Sequence, residues 1–452
     1  MISRLSRGQF LAGAVIAALG LAYLPLFEYK TVWLGQGDIQ VFFRAGWAIW
    51  SGFPLYQVTD YHGWSYHYPP TFALLMGPFG DPLPGHPRLW WAMPYPVATA
   101  VWYLLSVAFA IAATQTWATA LERTRPLTNQ TEFSRFALRF GSFAGVIPYI
   151  GDGLARGQPT TLLLLLCVGF LVLYTEKRMA FAAFALALAV VIKLFPVALV
   201  LLPLLRRDLK CLVWIAIWCI VLLLVLPAIC IGASATVDLY KAMWADHLAA
   251  ILSGSSDAKF IRETDPGGHD VVSIGGALAR IAAGHPFTGQ PLPAWASISQ
   301  YVFDAGLIAA VAVLGRGGFW DWRRPQPASA YPLLVAGAVL VAAMPIMITL
   351  AKPNYVTLEV PLLGVLIIET WRRRGEIIVT PGMIAWAAFA WFAMIQLELH
   401  WVVLILAAPM TLAILWLLIK GLALMAELSA EPHTPWRPAA EVSPEEQPAT
   451  SH

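Results

Sequence analysis

Twelve apolar runs, separated by short clusters of basic residues, constrain this chain more than any other feature. Runs of about 20 apolar residues are typical of membrane-spanning helices. The sequence is 59% hydrophobic and 12% charged, and soluble proteins have about twice that charged fraction. It therefore predicts an all-α polytopic membrane protein with about 12 transmembrane helices. The runs lie near 10–27, 89–117, 137–151, 159–175, 179–192, 195–205, 211–231, 298–315, 328–350, 354–370, 377–397 and 399–424.

The basic clusters between the runs predict the orientation of the chain. If each cluster faces the cytoplasm, the positive-inside rule is obeyed throughout, and two long loops fall outside, at about 28–88 and about 232–297. We expect residues 1–424 to form one polytopic domain and residues 425–452, rich in Pro and Glu, a disordered cytoplasmic tail. Basic residues so placed report orientation and do not indicate nucleic acid. The four cysteines lie in or beside apolar segments without metal-ligand spacing, which favours packing.

The segment 179–205 is interrupted by "KLFP", which contains Lys193 and Pro196. A single helix would place the basic residues on either side of it at opposite faces of the membrane. A hairpin keeps them on one face, but its arms reach only about 16–21 Å against a core of about 30 Å. Short helices of this kind survive in a bilayer where they line a cavity. We therefore predict a hairpin beside a cavity that opens to the outside.

Asp38 stands at the head of an amphipathic stretch after the first apolar run. In "GDIQVFFRAGWAIWSG", apolar residues recur at helical spacing from Ile39 to Trp50, while Gln40 and Arg44 lie off that stripe. The pattern predicts an interfacial helix with Asp38 at its N-cap. A capping role and a functional role both remain open for this aspartate.

The stretch "TDYHGWSYHYPP" follows the amphipathic segment and is dense in Tyr, His and Trp. Aromatic residues with polar edges pack against sugar rings, but they also populate membrane interfaces. The composition alone leaves both interpretations open.

Several stretches, taken together, resemble a known family. They are "GDIQVFFRAGWAIWSGFPLY" with "YHYPP", "GLARGQPTTLLLLL", "AVVIKLFPVALVLLPLLRRD" and "LAKPNYVTLEVPLL". In order and topology they resemble the polyprenol-phosphate-dependent glycosyltransferases of the GT-C fold, within them family 87, and especially its mycobacterial α-1,2-mannosyltransferase branch. The resemblance spans roughly residues 30–370. It implies a GT-C-like fold whose periplasmic loops carry interfacial helices.

The resemblance implies that Asp38 is the general base that takes the proton from the acceptor hydroxyl. A phosphate leaving group needs no protein acid, so one carboxylate suffices and direct displacement inverts the anomeric centre. The leaving phosphate requires a nearby cation, although lysines near helix ends also snorkel to lipid headgroups. The candidates for donor phosphate are Lys193, Lys352 and Arg156, and those for substrate binding are Arg44, Tyr66, His67, Tyr68, Gln158, Asn354 and His269.

The implied partners are a polyprenyl-phosphate-linked sugar donor, a glycan or glycolipid acceptor and the bilayer of the inner membrane. Mannose is the favoured sugar and arabinose the runner-up, and neither a cofactor nor a metal is expected. Metal binding by Asp265, His269 and Asp270 is conceivable, but a solvated loop is favoured. The family often has a histidine where this chain has Asn354. The alternative function is a lipid-linked sugar flippase or transporter, which would predict buried mid-helix charges and internal repeats.

Overall fold

The computed structural model describes residues 6–35, 37–126, 131–245, 271–283, 292–317, 330–347, 352–375 and 407–430, and these are predominantly helical. The helices, in chain order, are α1 Arg7–Glu28, α2 Ile39–Ser51, α3 Pro70–Leu75, α4 Tyr95–Thr124, α5 Glu132–Ala144, α6 Ile147–Arg156, α7 Thr160–Thr175, α8 Met179–Ile192, α9 Leu201–Leu205, α10 Leu209–Ile220, α11 Leu226–Ile231, α12 Ala233–Met243, α13 Ile274–Ala283, α14 Ala294–Leu314, α15 Ala330–Met347, α16 Val360–Arg374 and α17 Ala407–Ala430. Turns of 3-10 helix precede α9, at Phe195–Val200, and α16, at Pro353–Glu359.

Six helical spans of the described ranges are long and apolar enough to cross a membrane. Shorter apolar helices lie at Thr160–Thr175, Met179–Ile192, Phe195–Leu205 and Ile274–Ala283. Most of the apolar runs coincide with helices, but the run 137–151 is divided between α5 and α6. The expected number of about 12 crossings goes beyond these six. The predicted run 377–397 lies outside the described residues. The six spans are Arg7–Trp33, Tyr95–Thr124, Leu209–Ile231, Ala294–Leu314, Ala330–Met347 and Met410–Ala430.

The segment 179–205 turns back on itself, as its sequence predicted. Helix α8 ends just before Lys193, whose backbone is extended (φ −148°, ψ 136°). Pro196, which has no backbone N–H, lies in the 3-10 turn that follows. The Arg206 guanidinium lies 5.6 Å from the centroid of the Tyr174 ring. Because Tyr174 precedes the segment and Arg206 follows it, both ends of the hairpin lie at the same end of the bundle, and Lys193 is at the tip.

Helix α4 connects the two ends of the bundle. Near its start, Nε1 of Trp102 donates to the carbonyl of Gly157 (2.9 Å). Near its end, Arg123 pairs with Glu176 (3.5 Å). At 1.5 Å per residue these two points are about 31 Å apart, close to the thickness of the hydrocarbon core of a bilayer.

Basic residues from several segments gather at the Arg123 end of α4. They belong to the clusters whose positions predicted the orientation of the chain, and acidic residues on neighbouring helices pair with them. The paired residues lie at or near the last residues of α4, α16 and α17, and on α5. The pairs are Arg125–Glu369, Arg139–Glu122 and Arg373–Glu427.

Helix α2 begins directly after Asp38, as predicted, but it lies inside the protein. Its residues from 39 to 49 are buried, including the polar Gln40 and Arg44. The first outside loop covers this polar side: Arg44 pairs with Asp81 (3.7 Å), and Nε2 of Gln40 donates to the same carboxylate (3.4 Å). Burial raises the pKa of Asp81 despite the neighbouring Arg44 guanidinium. An amphipathic pattern indicated the helix, and a buried ion pair covers the side expected to face water.

Candidate active site

Asp38 lies where the connection between α1 and α2 meets the end of α6. Its backbone N–H donates to the carbonyl of Arg156 (2.9 Å). The residue occupies the N-cap position of α2, but its carboxylate makes no capping hydrogen bond. Instead, Oδ2 accepts a hydrogen bond from Nε2 of Gln158 (2.5 Å). The carboxylate is therefore held by another element of the fold rather than used to start its own helix.

Gly157 allows the end of α6 to approach the beginning of α2. Its φ of +67° lies in the left-handed region, where other residues are strained. A Cβ atom at this position would lie 2.4 Å from Cβ of Ile39. The next N–H, that of Gln158, donates to the carbonyl of Gly153 (2.9 Å). The "GQ" pair thus places a glutamine side chain beside Asp38 because only glycine fits before it.

Gln158 joins the carboxylate of Asp38 to the ammonium of Lys193. Its Nε2 donates to Asp38, and its Oε1 accepts a hydrogen bond from Nζ of Lys193 (3.1 Å). An amide has one donor end and one acceptor end, so the same side chain fixes a negative and a positive group at once. Gln158 is 8% exposed, and the amide is therefore largely shielded from competing water.

Lys193, at the tip of the hairpin, is a buried amine whose hydrogen-bond partners are neutral. Its side chain donates to Gln158 and to the hydroxyl of Tyr355. Its Nζ lies 4.4 Å from the ring centroid of Tyr355 and 5.2 Å from that of Tyr68, distances at which an aromatic face attracts a cation. Among the described residues, no Asp or Glu forms an ion pair with this ammonium. Because the charged form of a buried amine needs a partner of opposite charge, an anion bound here would favour the ammonium form of Lys193.

Two tyrosines form the aromatic wall of the site. Burial and the Asp38 carboxylate raise the pKa of Tyr68 above its usual range, so its hydroxyl stays neutral. Tyr355 packs edge-on against Phe195, with ring centroids 5.2 Å apart. Tyr68 was among the candidates from the sequence, whereas Tyr355 was not, although the "KPNY" stretch contains it. Its position three residues after Lys352, at the start of the apolar run 354–370, was the available signal.

The remaining phosphate candidates lie near the site but are held differently. Nε of Arg156 donates to Oδ1 of Asp152 (3.1 Å), and its side chain is 37% exposed. Lys352 precedes the 3-10 turn that carries Tyr355, and its carbonyl accepts from the Tyr355 N–H (3.0 Å). Asn354 is 2% exposed and packs near Gly153. Of the three predicted cations, Lys193 is linked to the Asp38 carboxylate through the Gln158 amide.

Among the other substrate-binding candidates, Arg44 and Tyr66 form hydrogen bonds within the first loop, and His269 lies outside the described residues. Arg44 donates to the carbonyl of Thr59, in the first loop. Tyr66 is fully buried, and its hydroxyl donates to the carbonyl of Pro69 (2.8 Å). His67 is partly buried between two tyrosines in the chain. His269 lies outside the described residues, as do Asp265 and Asp270, so the structure says nothing of the second loop's acidic stretch.

The chemistry of the site combines a proton acceptor with an anion-binding cation. Asp38 as a residue is partly exposed, so it is not sealed inside the protein. The Lys193 ammonium has three N–H donors, two of which are taken by Gln158 and Tyr355. The third remains for a phosphate or another anionic oxygen. A site of this kind suits a group transfer in which one substrate loses a proton and another releases an anion.

These features define a helical membrane protein with a compact polar site at one end of its bundle. A sequence model described as glycosyltransferase family 87 matches residues 66–353, which is well over half of the chain. The chain belongs to glycosyltransferase family 87. It is therefore a glycosyltransferase by family, as the resemblance implied, and sugar donors and acceptors are the substrates that this family membership suggests.

The family match covers much of the site but not all of it. Tyr68, Arg156, Gln158 and Lys193 fall inside the matched residues, whereas Asp38 precedes them and Tyr355 follows them. The inclusion of Asp38 in the candidate site therefore depends on its hydrogen bonds to matched residues and on the resemblance of the first loop to the family. Comparisons with curated proteins and with solved structures find no match.

Proposed function

We propose that this protein transfers a sugar from a polyprenyl-phosphate donor to a glycan or glycolipid acceptor, with Asp38 as the general base and Lys193 beside the donor phosphate. The observation that carries this proposal is the Gln158 amide, which holds the carboxylate and the ammonium side by side. In the transfer, the proton acceptor and the cation act on the same glycosyl phosphate, so the two groups must lie within its length. Asp38 supplies the proton acceptor, and Lys193 supplies positive charge where the leaving group becomes more negative.

In the proposed reaction, the acceptor hydroxyl oxygen bonds to the anomeric carbon of the donor sugar. The bond between that carbon and the phosphate oxygen breaks, and polyprenyl phosphate leaves with the bonding electron pair. Asp38 takes the proton of the attacking hydroxyl, and Lys193 stabilises the additional charge on the phosphate. Since the nucleophile approaches opposite to the leaving group, the configuration at the anomeric carbon is inverted.

The surroundings of Lys193 fit a donor that carries a long lipid chain. Leu194 and Val197, which follow it in the hairpin, are apolar and exposed. A polyprenyl chain could lie against them in the bilayer while its phosphate reaches the ammonium. Helix α8, the first arm of the hairpin, has 14 residues and spans about 21 Å. Lys193, at its end, therefore stops short of the far membrane surface.

The orientation of the site follows from the basic end of the bundle. If that end faces the cytoplasm, as the positive-inside rule requires, the Asp38 site opens at the periplasmic side of the inner membrane. Lipid-linked sugars at that face would be the donors. The resemblance favours mannose as the sugar.

The proposal is tested by replacing the cation that it assigns to the donor. Lys193→Met keeps a long side chain and removes the charge. A hydrogen bond to a charged group contributes about 1.5–3 kcal/mol, so kcat/KM for a polyprenyl-phosphate sugar should fall about 10- to 150-fold. Lys241→Met is the matched control, because Lys241 is an exposed lysine paired with Asp238 on α12, and it should keep parental transfer.

Transfer itself is measured with purified protein in nanodiscs, radiolabelled polyprenyl-phosphate mannose and the envelope glycolipid fraction of a deletion strain, which would accumulate unmodified acceptor. Label should move into the glycolipid with parental protein. Equal loss in the Lys193 and Lys241 variants would contradict the phosphate assignment. Movement of the intact lipid-linked sugar across proteoliposomes without any transfer would favour the flippase alternative.

A further inference from the structure

A short turn in the first loop presents exposed aromatic rings close to Asp38. Residues 59–65 form this turn, which is closed by a bridge between Thr59 and Ser65. Oδ1 of Asp60 accepts hydrogen bonds from the N–H groups of His62 (2.8 Å) and Trp64 (2.9 Å). The Asp60 side chain thus fixes the backbone, as Asp does in many tight turns. The aromatic side chains of this turn are therefore attached to a backbone whose conformation is fixed by hydrogen bonds.

The turn is fastened to α2, the helix that begins after Asp38. The N–H of Tyr61 donates to Oε1 of Gln40 (3.0 Å), and the Arg44 side chain donates to the carbonyl of Thr59. The Arg44 guanidinium also lies 4.5 Å from the centroid of the Tyr61 ring. Gln40 and Arg44, the two buried polar side chains that α2 shares with Asp81, therefore both hold this turn.

Tyr61 also lies beside the segment that leads into Asp38. A Cβ atom on Gly35 would be 3.4 Å from Cδ2 of Tyr61, and Gly35 precedes Asp38 by three residues, which span at most about 11 Å. The turn and Lys193 approach the aspartate through different residues: the turn through Gly35 and Gln40, the lysine through Gln158. The turn and the proposed phosphate site therefore adjoin the Asp38 segment through separate contacts.

The exposure of the rings separates this turn from the buried aromatic residues that follow it. Tyr61 is 66% exposed and Trp64 is 40% exposed, whereas Tyr66 is fully buried. Tyrosine and tryptophan supply large, rigid and amphipathic contact area at a low cost in conformational entropy. A turn that is held this firmly and yet leaves its aromatic side chains uncovered is suited to binding.

We infer that Tyr61 and Trp64 form an acceptor subsite, on which a sugar ring of the acceptor glycan packs while its hydroxyl reaches Asp38. This inference rests on the proposed function, because an inverting transferase brings its acceptor to the base and its lipid donor to the cation. The polar composition of the turn, with Asp60, His62 and its backbone groups, favours a glycan over lipid chains. The exposed apolar residues of the hairpin, Leu194 and Val197, are the surface that fits a lipid.

The test measures separately the amount of acceptor and the amount of donor that give half of the maximal transfer rate. The acceptor probe is the glycolipid fraction from the deletion strain, and the donor is radiolabelled polyprenyl-phosphate mannose. Tyr61→Ala and Trp64→Ala should each raise the half-saturating amount of acceptor about 2- to 10-fold, in line with the strength of aromatic packing. The KM for the donor should stay parental. Tyr61→Phe, which keeps the ring, should behave as the parental protein.

Trp90→Ala is the matched control, because Trp90 is an exposed aromatic residue that also lies between α2 and α4. It lies near the far end of α2, next to Trp91, whose ring contacts Trp50. Acceptor half-saturation that does not change in the Tyr61 and Trp64 variants would overturn the inference alone. Equal effects of all three alanine variants, or equal rises for donor and acceptor, would identify the rings as membrane anchors. Parental protein without any transfer would overturn the proposed function and this inference with it.

Discussion

Removing the amide of Gln158 tests how the site is assembled, because this one side chain serves both charged groups. Gln158→Leu deletes the hydrogen bonds to Asp38 and to Lys193 and keeps a buried side chain of similar size. One hydrogen bond to a charged group contributes about 1.5–3 kcal/mol, which corresponds to about 10- to 150-fold in kcat/KM. The two bonds share one amide, so their effects overlap rather than multiply. We expect a fall of about 100- to 1,000-fold, above the value for a single bond.

The assay compares transfer and stability in two glutamine variants. Gln300 is the matched control, because it is also buried and its Nε2 also donates to a carboxylate, Oδ1 of Asp304 (2.8 Å). Gln158→Leu and Gln300→Leu should lower the Tm by similar amounts, since both leave buried polar groups without a partner. Only Gln158→Leu should lower transfer at equal amounts of folded protein.

A double variant shows whether Gln158 acts through Lys193. If it does, Gln158→Leu combined with Lys193→Met should lower kcat/KM by less than the product of the two single effects. A Gln158→Leu protein with parental kcat/KM would refute this account of the site. So would an equal loss of transfer in Gln300→Leu, because the effect would then report general destabilisation.

Two further predictions concern close packing and buried charge. Gly157→Ala and Gly52→Ala impose the same left-handed strain, with φ of +67° and +73°, but only the first would push on the first residue of α2. Gly157→Ala should therefore lower kcat at equal amounts of folded protein while Gly52→Ala keeps it, and the clash with Ile39 should make the loss of Tm larger for Gly157→Ala. Arg139→Leu leaves the Glu122 carboxylate without the bidentate partner that holds it at 2.7 and 2.9 Å, which should cost about 3–5 kcal/mol of unfolding free energy. Arg123→Leu, on an exposed pair, should change that free energy far less, as chemical denaturation in detergent would measure.

The elements of the fold could be predicted because bilayer burial leaves a strong pattern in the chain. Apolar runs located most helices within a few residues, and the "KLFP" interruption gave the hairpin. The beginning of α2 at Asp38 followed from the polar residue before an apolar stripe. Each of these signals is local, so a single sequence is enough to detect it.

The arrangement of the site could be predicted only in part because it depends on contacts between distant segments. Gln158 and Lys193 were both candidates, but no local pattern shows that an amide joins them to Asp38. Tyr355 was missed because a tyrosine in a turn has many ordinary roles. Likewise, composition cannot tell which rings of an aromatic stretch are covered: Tyr66 proved to be buried, and Tyr61 remained exposed.

The surroundings of the polar side of α2 also could not be predicted from the sequence. Gln40 and Arg44 lie off the apolar stripe, which predicts exposure to water. The structure instead covers them with the first loop, where Asp81 lies beside Arg44 and Gln40. The sequence distance of about 40 residues between these partners hides the pair from any reasoning based on periodicity.

The most direct measurement of the central claim is the turnover of Asp38→Asn at saturating donor and acceptor. Asparagine keeps an oxygen that can accept from Nε2 of Gln158, and α2 loses no capping bond because the Asp38 side chain makes none. The variant should therefore be folded, with a parental Tm. Asp208→Asn is the matched control, because Asp208 does cap its helix, accepting from the N–H of Cys211 (3.1 Å), and it should keep parental turnover.

General base catalysis contributes about 10²- to 10⁴-fold. The account predicts that kcat of Asp38→Asn falls by that factor, while the Asp208 control stays within about twofold of the parental protein, a change below about 0.5 kcal/mol. A folded Asp38→Asn protein with near-parental kcat would contradict the assignment of Asp38 as the base, and with it the proposed mechanism of transfer.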